Sequence, residues 1–490
     1  MKGNLKKLWS IILAGTMLLG VTGCAAPALP GEETTPAASS QEANVQEADV
    51  QESKEAEPSE AGTEAPAAAN AGEQDFTGVT VKVWGANDIL NNEDFEKYVA
   101  ENGNGLTYEI VNADEVKLMS MVATGTAPDV WCLSAFSHGA MYAARGLYEP
   151  LTDYIANSDV FDEANFEDVE NLYRFDGKEV GAGPIYGIVK DWSLDNQIWV
   201  NKKVFADAGL EIPDPQKIYS WDEIREWAKA CVEFDANGEQ TRWGMGTTNN
   251  LYQLITGMIC SVGKSMFSDD LSEVYIDTPE VRAAFEYWGD MYKSGAAISD
   301  MSTPGDWGGD SFALDKVGML CCGYWFGNGT LAFNENAKDR MDDFMLIQAP
   351  SLDVSRSANA CMAGVGASIW SGSKNKDAAF KFIELYNGGE WARERAITGY
   401  GNPAQTDLVE LLPQETAFQK QTYEANKFGM QNMITLKTNP YITAQGMEST
   451  FQQFFYEVLY ERMTMDDAIV GMQEQFETLL AEGKEICGVE

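Results

Sequence analysis

The side chains that most often carry out catalysis are scarce in this chain of 490 residues. His138 is the only histidine, so a Ser-His-Asp triad would have to use it. No serine stands in the G-x-S-x-G turn that exposes a nucleophile, and HExxH, Walker and dinucleotide-binding motifs are absent. Two carboxylates suffice to cleave a glycosidic bond, and the 76 acidic residues leave that alternative open. The pattern favours a binding protein without a metal ion or cofactor over an enzyme.

The first cysteine lies in a setting that suits export and lipidation. Three lysines precede a short, mostly apolar run over residues 8–21, and small residues then lead to Cys24. This is the composition of a secretory signal, and the run is shorter than the ~20 residues of a spanning helix. A signal that stops on cysteine resembles the bacterial lipoprotein box. We expect residues 1–23 to be a lipoprotein signal peptide and Cys24 to carry the lipid, a palmitate-type acyl anchor; the alternative is an ordinary signal with an incidental cysteine.

An acidic, low-complexity segment follows Cys24. Residues 25–75 consist mainly of Ala, Glu, Pro, Ser, Thr and Gln, which cannot bury enough apolar surface to offset their conformational entropy. Twelve acidic residues stand against the single Lys54, and like charges extend a linker. We therefore expect residues 24–75 to be a disordered tether that holds the folded part at the extracellular face of a bacterial cytoplasmic membrane.

The folded part, residues 76–490, is strongly acidic. Of the total net charge of −42, it carries −34 once the linker and the three leading lysines are set aside. Nucleic-acid binding needs a basic surface that displaces phosphate counterions, so this class of partner is excluded. Contact with the membrane is expected through the lipid anchor only. The length of ~415 residues exceeds that of one core and predicts two domains.

Cysteine spacing gives no sign of a metal site or a disulfide framework. Seven cysteines remain after Cys24, an odd number that leaves at least one thiol free in a monomer, the state that we expect. None stands in a CxxC or zinc-ligand spacing. We expect mostly unpaired, buried thiols at Cys132, Cys231, Cys260, Cys321, Cys322, Cys361 and Cys487.

Hydrophobic periodicity predicts strands that alternate with helices. Residues 79–84 alternate as a strand, a helix ends near Ala100, and apolar segments over 108–111 and 130–133 predict two further strands. Such alternation predicts an α/β fold with a largely parallel sheet. Further along the chain, helix signals are a capping box at Ser220 and Glu223, a cap followed by proline at 278–279, and apolar stripes over 379–386, 451–458 and 469–479. Residues 235–239 hint at a calcium loop, but they lack its later acidic ligands and predict a tight turn instead.

Five segments, taken in order, resemble the extracellular solute-binding proteins of ABC importers, in the group that includes maltose-binding proteins. They are 118–130 with 145–151, 186–210, 220–223, 315–325 and 371–403, and they span nearly all of 79–480. Each motif alone is degenerate, whereas five in the family's order are specific. Two positions depart from the family pattern, since Val200 replaces the usual Tyr and Tyr219 replaces Pro or Thr.

The resemblance implies an α/β, two-lobed, periplasmic-binding-protein-like fold with hinge strands and a ligand cleft between the lobes. It places lobe 1 at 76–190 with 345–390, and lobe 2 at 191–344 with 391–490. Hinge strands are expected near 187–193 and 345–350. Ligands of such folds bind beyond the carboxyl ends of the strands, and the lobes close around them.

A carbohydrate is the ligand that the resemblance and the aromatic content favour. Sugars present apolar ring faces with a rim of hydroxyls, and the flat indole of tryptophan suits those faces. Candidate platforms near strand or helix ends are Trp84, Trp192, Trp307 and Trp325, and each has the alternative role of a core aromatic. Trp325 stands where the family commonly stacks a tryptophan on a sugar. Further candidates are Tyr324 beside it, Ser134 and Phe136 after the third strand, Asn87 after the first, and Gly364 in a late turn.

The expected partners are therefore a carbohydrate and the permease subunits of an ABC transporter. Two other functions remain at this stage. One is a surface glycan-binding or sensory lipoprotein without transport, and the other is a glycoside-acting enzyme. A non-sugar ligand such as a polyol phosphate is also open, although the negative charge of the folded part disfavours polyanions.

Overall fold

The computed structural model describes residues 74–299, 307–356, 358–361, 363–436 and 438–489. The predicted signal peptide, Cys24 and nearly all of the acidic linker lie outside these residues. Within them the chain is mixed α/β, as predicted.

Two main sheets and two small ones contain the strands. The strands are β1 (Thr80–Trp84), β2 (Thr107–Val111), β3 (Val130–Ser134), β4 (Arg174–Phe175), β5 (Val180–Ile185), β6 (Ile188–Ser193), β7 (Ile198–Asn201), β8 (Glu233–Phe234), β9 (Gln240–Thr247), β10 (Val317–Cys321), β11 (Phe344–Ile347), β12 (Asn359–Cys361), β13 (Ala363–Ile369), β14 (Asn402–Pro403) and β15 (Met433–Thr435).

Helices flank both main sheets. They are α1 (Glu93–Asn102), α2 (Glu115–Ala123), α3 (Ala135–Ala144), α4 (Thr152–Ala156), α5 (Lys202–Asp207), α6 (Trp221–Cys231), α7 (Leu251–Cys260), α8 (Pro279–Lys293), α9 (Gly309–Ala313), α10 (Trp325–Gly329), α11 (Lys376–Asn387), α12 (Gly389–Thr398), α13 (Ala417–Met430), α14 (Ala444–Leu459) and α15 (Met465–Ile486). In the described part of the chain, none of these helices combines the length and the apolar character that crossing a membrane requires.

The first sheet has the strand order β14-β6-β13-β3-β1-β2. Strands β1, β2 and β3 are parallel, whereas β13 runs antiparallel to both β3 and β6. The expectation of a largely parallel sheet is therefore wrong here, because β13 enters the sheet from the edge at which its neighbours end. The carboxyl ends of β1, β3 and β6 consequently meet the amino ends of β13 and β14 at one edge.

The second sheet has the strand order β11-β7-β10-β9-β8. Strands β9 and β10 are parallel, and β7 runs antiparallel to β10 and β11. The amino end of β7 therefore lies beside the carboxyl ends of β9, β10 and β11. Residues 194–197 join β6 directly to β7, so this edge of the second sheet lies next to the edge of the first sheet at which β1, β3 and β6 end.

The lobe boundaries differ from the predicted ranges in three places. Strand β6 extends in the first sheet to Ser193, and β11 belongs to the second sheet although residues 345–347 were grouped with lobe 1. Residues 402–403 form β14 of the first sheet, although 391–490 was grouped with lobe 2. The chain therefore passes between the sheets immediately after both predicted hinge strands, at 194–197 and again between β11 and β13.

Local signals in the sequence account for many element boundaries. The Ser220–Glu223 capping box starts α6, Thr278 caps α8 ahead of Pro279, and Gly388 ends α11, all as predicted. Residues 235–239 form the predicted tight turn, in which Asp235 Oδ1 accepts hydrogen bonds from backbone N–H groups. These bonds satisfy donors that a turn or helix end would otherwise leave without partners.

Each sheet has its own apolar core, and a third cluster joins the lobes. Val81, Val83 and Ile188 pack with α1 and α11, whereas Trp199 and Leu320 pack with Phe326 in the second sheet. The largest cluster runs from Trp131 in the first lobe to α7 and α8 in the second. The six cysteines whose side chains the structure describes are free, and five of them are buried, as expected.

A candidate ligand site between the two sheets

The facing edges of the two sheets bring together loops from both lobes. From the first sheet come the turn after β1, the end of β6 and the loop before β14; from the second come the loops after β9 and β10. Residues 194–197 connect the two edges. Ligands of α/β proteins bind beyond such strand ends.

Trp325 occupies the junction between the lobes. Its indole lies close enough to the carboxylate of Asp195, in the connection between β6 and β7, to lower the pKa of that group. Its ring packs edge-on against Phe326, with centroids 6.2 Å apart, and lies 6.4 Å from the ring of Tyr400. The side chain is half-buried. An indole held along one edge and partly open on its surface is suited to stack on an apolar ring face.

Asp195 is buried in the connection between the sheets, with 6% of its surface exposed. Ser193 Oγ donates to its Oδ1 at 2.5 Å, and its backbone carbonyl accepts from Asn249 Nδ2 at 3.0 Å. Burial raises the pKa of Asp195 to about 6, against the lowering effect of the Ser193 hydroxyl and the Trp325 indole. Asp195 therefore contacts the end of β6 through its carboxylate and the loop after β9 through its backbone carbonyl.

Close packing fixes the loop that carries Trp325. A Cβ added to Gly323 would lie 2.3 Å from Asp195 Oδ1 and 2.4 Å from Ser193 Oγ. No side chain fits there without moving the polar pair, so glycine at this position lets the loop after β10 approach the connection between the sheets.

A charged cluster lies at the edge of the first sheet at which β1 and β6 end. It consists of Asp88, Lys190, Asp191 and Arg395. Lys190 Nζ is 2.8 Å from Asp88 Oδ2 and 3.4 Å from Asp191 Oδ2. Arg395 Nε is 4.0 Å from the same Asp191 oxygen. The side chains of Lys190 and Arg395 are only 5% and 7% exposed, so each buried cation is paired, as burial of charge requires.

The pKa values of this cluster follow from its pairing. Burial opposes the charged form of Lys190, but the carboxylates of Asp191 and Asp88 outweigh it and raise the pKa of Lys190 well above its ordinary value. Burial likewise opposes ionisation of Asp88, yet Lys190 and the Tyr386 hydroxyl lower its pKa. For Asp191 burial prevails and raises the pKa.

Tyr400 connects the charged cluster to Trp325. Lys190 Nζ lies 5.9 Å from the centroid of the Tyr400 ring, and the Trp325 ring lies 6.4 Å from the same ring. The next residue, Gly401, has a φ of 101° and would place a Cβ only 3.3 Å from Asp191 Cβ. A positive φ and close contact together require glycine, which brings Tyr400 between the two groups.

Three further predicted site residues lie at or near the same edges. Asn87 is half-buried in the short turn Asn87–Ile89 after β1, and Ser134 is half-buried at the end of β3. Trp307 is half-buried in the second lobe, where its ring packs edge-on against Phe326 at 5.7 Å. Phe326 therefore stands between the two partly exposed indoles of Trp307 and Trp325.

Two of the predicted tryptophan platforms are core residues instead. Trp84 packs edge-on against Trp131, and its indole N–H donates to the Ala113 carbonyl at 2.8 Å. Trp192 is 1% exposed and donates to the Pro403 carbonyl at 3.0 Å. Trp84 is only 8% exposed and Trp192 is held against β14, so neither ring presents a face to the cleft.

Tyr324 and Gly364 are also enclosed, contrary to the prediction that they line the site. Tyr324 is fully buried, and its hydroxyl accepts a hydrogen bond from Asn328 at 3.4 Å. Gly364 is covered by Val169, whose Cγ2 would lie 3.1 Å from an added Cβ. Both positions serve packing directly behind the site.

Phe136 bridges the lobes and offers no free face. Its ring stacks on that of Tyr252 from α7 of the second lobe, with centroids 5.8 Å apart and planes at 6°. Beside the stack, the hydroxyls of Ser137 and Tyr252 are 3.0 Å apart. The lobes are therefore in direct contact on this side of the cleft.

Sequence reasoning missed the polar residues of the site. Lys190 and Asp191 interrupt the apolar strand β6, and two adjacent charges in a buried strand were the available signal. Asp195 lies two residues beyond the predicted hinge strand at 187–193. The contribution of Tyr400 depends on a long-range packing contact that sequence spacing does not reveal. The described residues contain no cluster of His, Cys, Asp and Glu able to hold a metal ion.

Comparison with known proteins identifies the family of this chain and several solved structures with a similar fold. The sequence model of the family described as bacterial extracellular solute-binding protein matches residues 86–392. An ABC substrate-binding protein from Listeria monocytogenes, solved with cycloalternan, has a TM-score of 0.64 at 20% identity, covering 84% of this chain and 99% of that one.

Two other solved structures have the same architecture. A solute-binding protein from Thermotoga lettingae bound to alpha-D-tagatose has a TM-score of 0.65 at 17% identity, over 82% of this chain and 100% of that one. The GacH receptor of Streptomyces glaucescens, solved unliganded and with acarbose, has a TM-score of 0.61 at 18% identity, over 82% and 98%. At these identities the likeness establishes the fold. No curated protein sequence matches the chain.

Proposed function

Because this chain belongs to the bacterial extracellular solute-binding proteins, a family of receptors and not of enzymes, we propose that it captures a carbohydrate between its two lobes. We propose further that it delivers the sugar to the permease of an ABC transporter. The proteins of similar fold named above were solved with cyclic, monomeric or pseudo-oligomeric sugars, which supports this ligand class.

The observation that carries the proposal is the setting of Trp325. A sugar needs a flat apolar surface beside groups that exchange hydrogen bonds with hydroxyls. Trp325 offers a half-buried indole face, and Tyr400 lies beside it. Asp195, Ser193 and Asn87 supply carboxylate, hydroxyl and amide groups within the same cleft edges.

Capture between two lobes gives the protein a means of reporting that it is loaded. A ligand shifts an open–closed equilibrium only through its different affinities for the two states. Trp325 and Asp195 lie where the sheets meet, so a sugar placed there contacts both lobes only when they are together. The Phe136–Tyr252 stack then adds a direct contact that favours the closed arrangement.

The tether completes the proposal. Lipidation at Cys24, followed by an extended acidic linker over 24–75, would hold the receptor near the permease without restricting its orientation. A single acyl chain anchors a protein only weakly, and stable attachment requires two or more chains.

The test is a stability screen of the purified protein against mono- and oligosaccharides. A ligand that binds only the folded state raises stability by RT ln(1 + [L]/Kd). We expect at least one sugar to raise the unfolding temperature, with saturation in calorimetry at one site per molecule. Failure of every sugar class to stabilise the protein contradicts carbohydrate capture.

A further inference from the structure

The polar groups at the proposed site are unevenly charged. Three carboxylates, those of Asp88, Asp191 and Asp195, share the cleft edge with two cations, Lys190 and Arg395. This leaves an excess of one negative charge, inside a folded part whose own net charge is −34.

Both cations are already committed to the protein. Lys190 Nζ contacts Asp88, Asp191 and the Tyr386 hydroxyl, the last at 3.2 Å. Arg395 donates through Nη1 to the Tyr386 carbonyl at 3.0 Å and through Nη2 to the Lys190 carbonyl at 3.5 Å. An anionic group on a ligand would have to displace these partners and leave a buried carboxylate without its cation, which is strongly unfavourable.

The carboxylates, by contrast, can still accept hydrogen bonds. An ionised carboxylate is an acceptor only, with about four lone-pair positions. The Asp88 side chain is 23% exposed and that of Asp191 is 14% exposed. Such a surface binds ligands that carry hydrogen-bond donors, which are hydroxyl or amino groups. It binds ligands with additional acceptors and negative charge less favourably.

We infer that the site selects carbohydrates without acidic groups and rejects uronic acids and phosphorylated sugars, because its acceptors exceed its available donors. This inference rests on the proposed function and narrows its substrate class. Rejection comes from the excess of carboxylate at the cleft edge, and Asp195 is the specificity-determining residue because no cation of the described residues pairs with it.

The test separates charge from size within one sugar skeleton. The neutral oligosaccharide that most stabilises the protein is oxidised at C6 to the uronate and converted in parallel to the uronamide, which has nearly the same shape without the charge. Calorimetry at pH 7.5 on the full chain should show the uronate binding at least tenfold more weakly than the uronamide. Acidic oligosaccharides are included in the initial screen so that a preference for them would be detected.

Two variants assign the effect to its source. Asp195→Asn keeps the size of the side chain and an acceptor for Ser193 while it removes the excess charge. It should reduce severalfold the gap between the two ligands, which is the ratio of the uronate Kd to the uronamide Kd. Asp339→Asn removes an exposed charge before β11, at the end of that strand remote from the cleft, and should leave the gap unchanged.

The outcomes distinguish this inference from the function on which it rests. Equal binding of uronate and uronamide by the wild-type protein, or an acidic sugar as the strongest ligand, overturns the charge selection and leaves carbohydrate capture standing. Absence of binding by every sugar, neutral or acidic, overturns carbohydrate capture and the charge selection with it. An unaltered gap in Asp195→Asn removes Asp195 from its assigned role.

Discussion

Replacement of Trp325 by alanine separates a binding role from a structural one. If the indole stacks on a sugar, Trp325→Ala should weaken binding by about 1–3 kcal/mol, which is the usual cost of truncating an aromatic anchor and corresponds to roughly 5–150-fold in Kd. The fold should persist, because the side chain is only half-buried. Trp325→Phe keeps a smaller flat ring and should lose less affinity.

The expected loss of stability follows from the contacts of the ring. Trp325 makes aromatic contacts with Phe326 and Tyr400, each worth about 0.5–1.5 kcal/mol. Because solvent already reaches part of the ring, these two contacts set the expected loss, and the free energy of unfolding should fall by about 1–3 kcal/mol, which a protein of this size tolerates.

Trp288 provides the matched control. It is fully buried on α8, where its ring packs edge-on against Trp221 and Tyr287, and Trp288→Ala should cost about 3–5 kcal/mol of stability without changing affinity. Urea unfolding measures the first quantity, and calorimetric titration with a stabilising sugar, corrected for folded fraction, measures the second. The reasoning is refuted if Trp325→Ala lowers stability while its affinity per folded molecule equals that of the wild type.

Three other perturbations test separate parts of the account. Cys24→Ala should move the protein from the membrane fraction to the medium or leave it unprocessed, and a mature wild-type protein that is wholly soluble with another N-terminus would end the lipidation claim. Burial raises the pKa of Glu170 to about 8 from an ordinary 4.5, so the folded state binds this proton more tightly than the unfolded state and stability falls as pH rises from about 4.5 to 8. Glu170→Gln should remove that part of the pH dependence and exceed the wild type in unfolding temperature at pH 9; superimposable pH profiles would contradict the assignment. Tyr252→Ala removes the stack with Phe136 and should increase the radius of gyration without sugar and raise the apparent Kd, since the closed state becomes less populated; an unchanged scattering curve would count against a contact that holds the lobes together.

The elements of the fold were largely predictable because local signals and long-range packing agree. Ser220 and Glu223 form their capping box, and the alternation over 79–84 becomes β1. The direction of β13 was not predictable, since periodicity reports which residues face the core and not the direction in which a strand enters a sheet. The resemblance, which carries no strand pairing, grouped residues 345–347 with lobe 1, whereas β11 pairs with β7 of the second sheet.

The candidate site was predictable only where the family resemblance indicated which residues face the cleft. Trp325 was selected by its position in a family motif, and the structure places it between the lobes. Trp84 and Trp192 were selected because they end strands, yet a strand's side chains alternate between faces, and their indole N–H groups are bonded in the core. The charged residues of β6 received no role because nothing in the sequence places Asp88 or Arg395 beside them.

The most direct test of the account is a crystal structure of the protein with a stabilising sugar. We expect density for one sugar between the two sheets, with a ring face on Trp325 and polar contacts to groups of both lobes, Asp195 among them. A sugar bound on the outer surface of one lobe would contradict the claim that the cleft is the binding site.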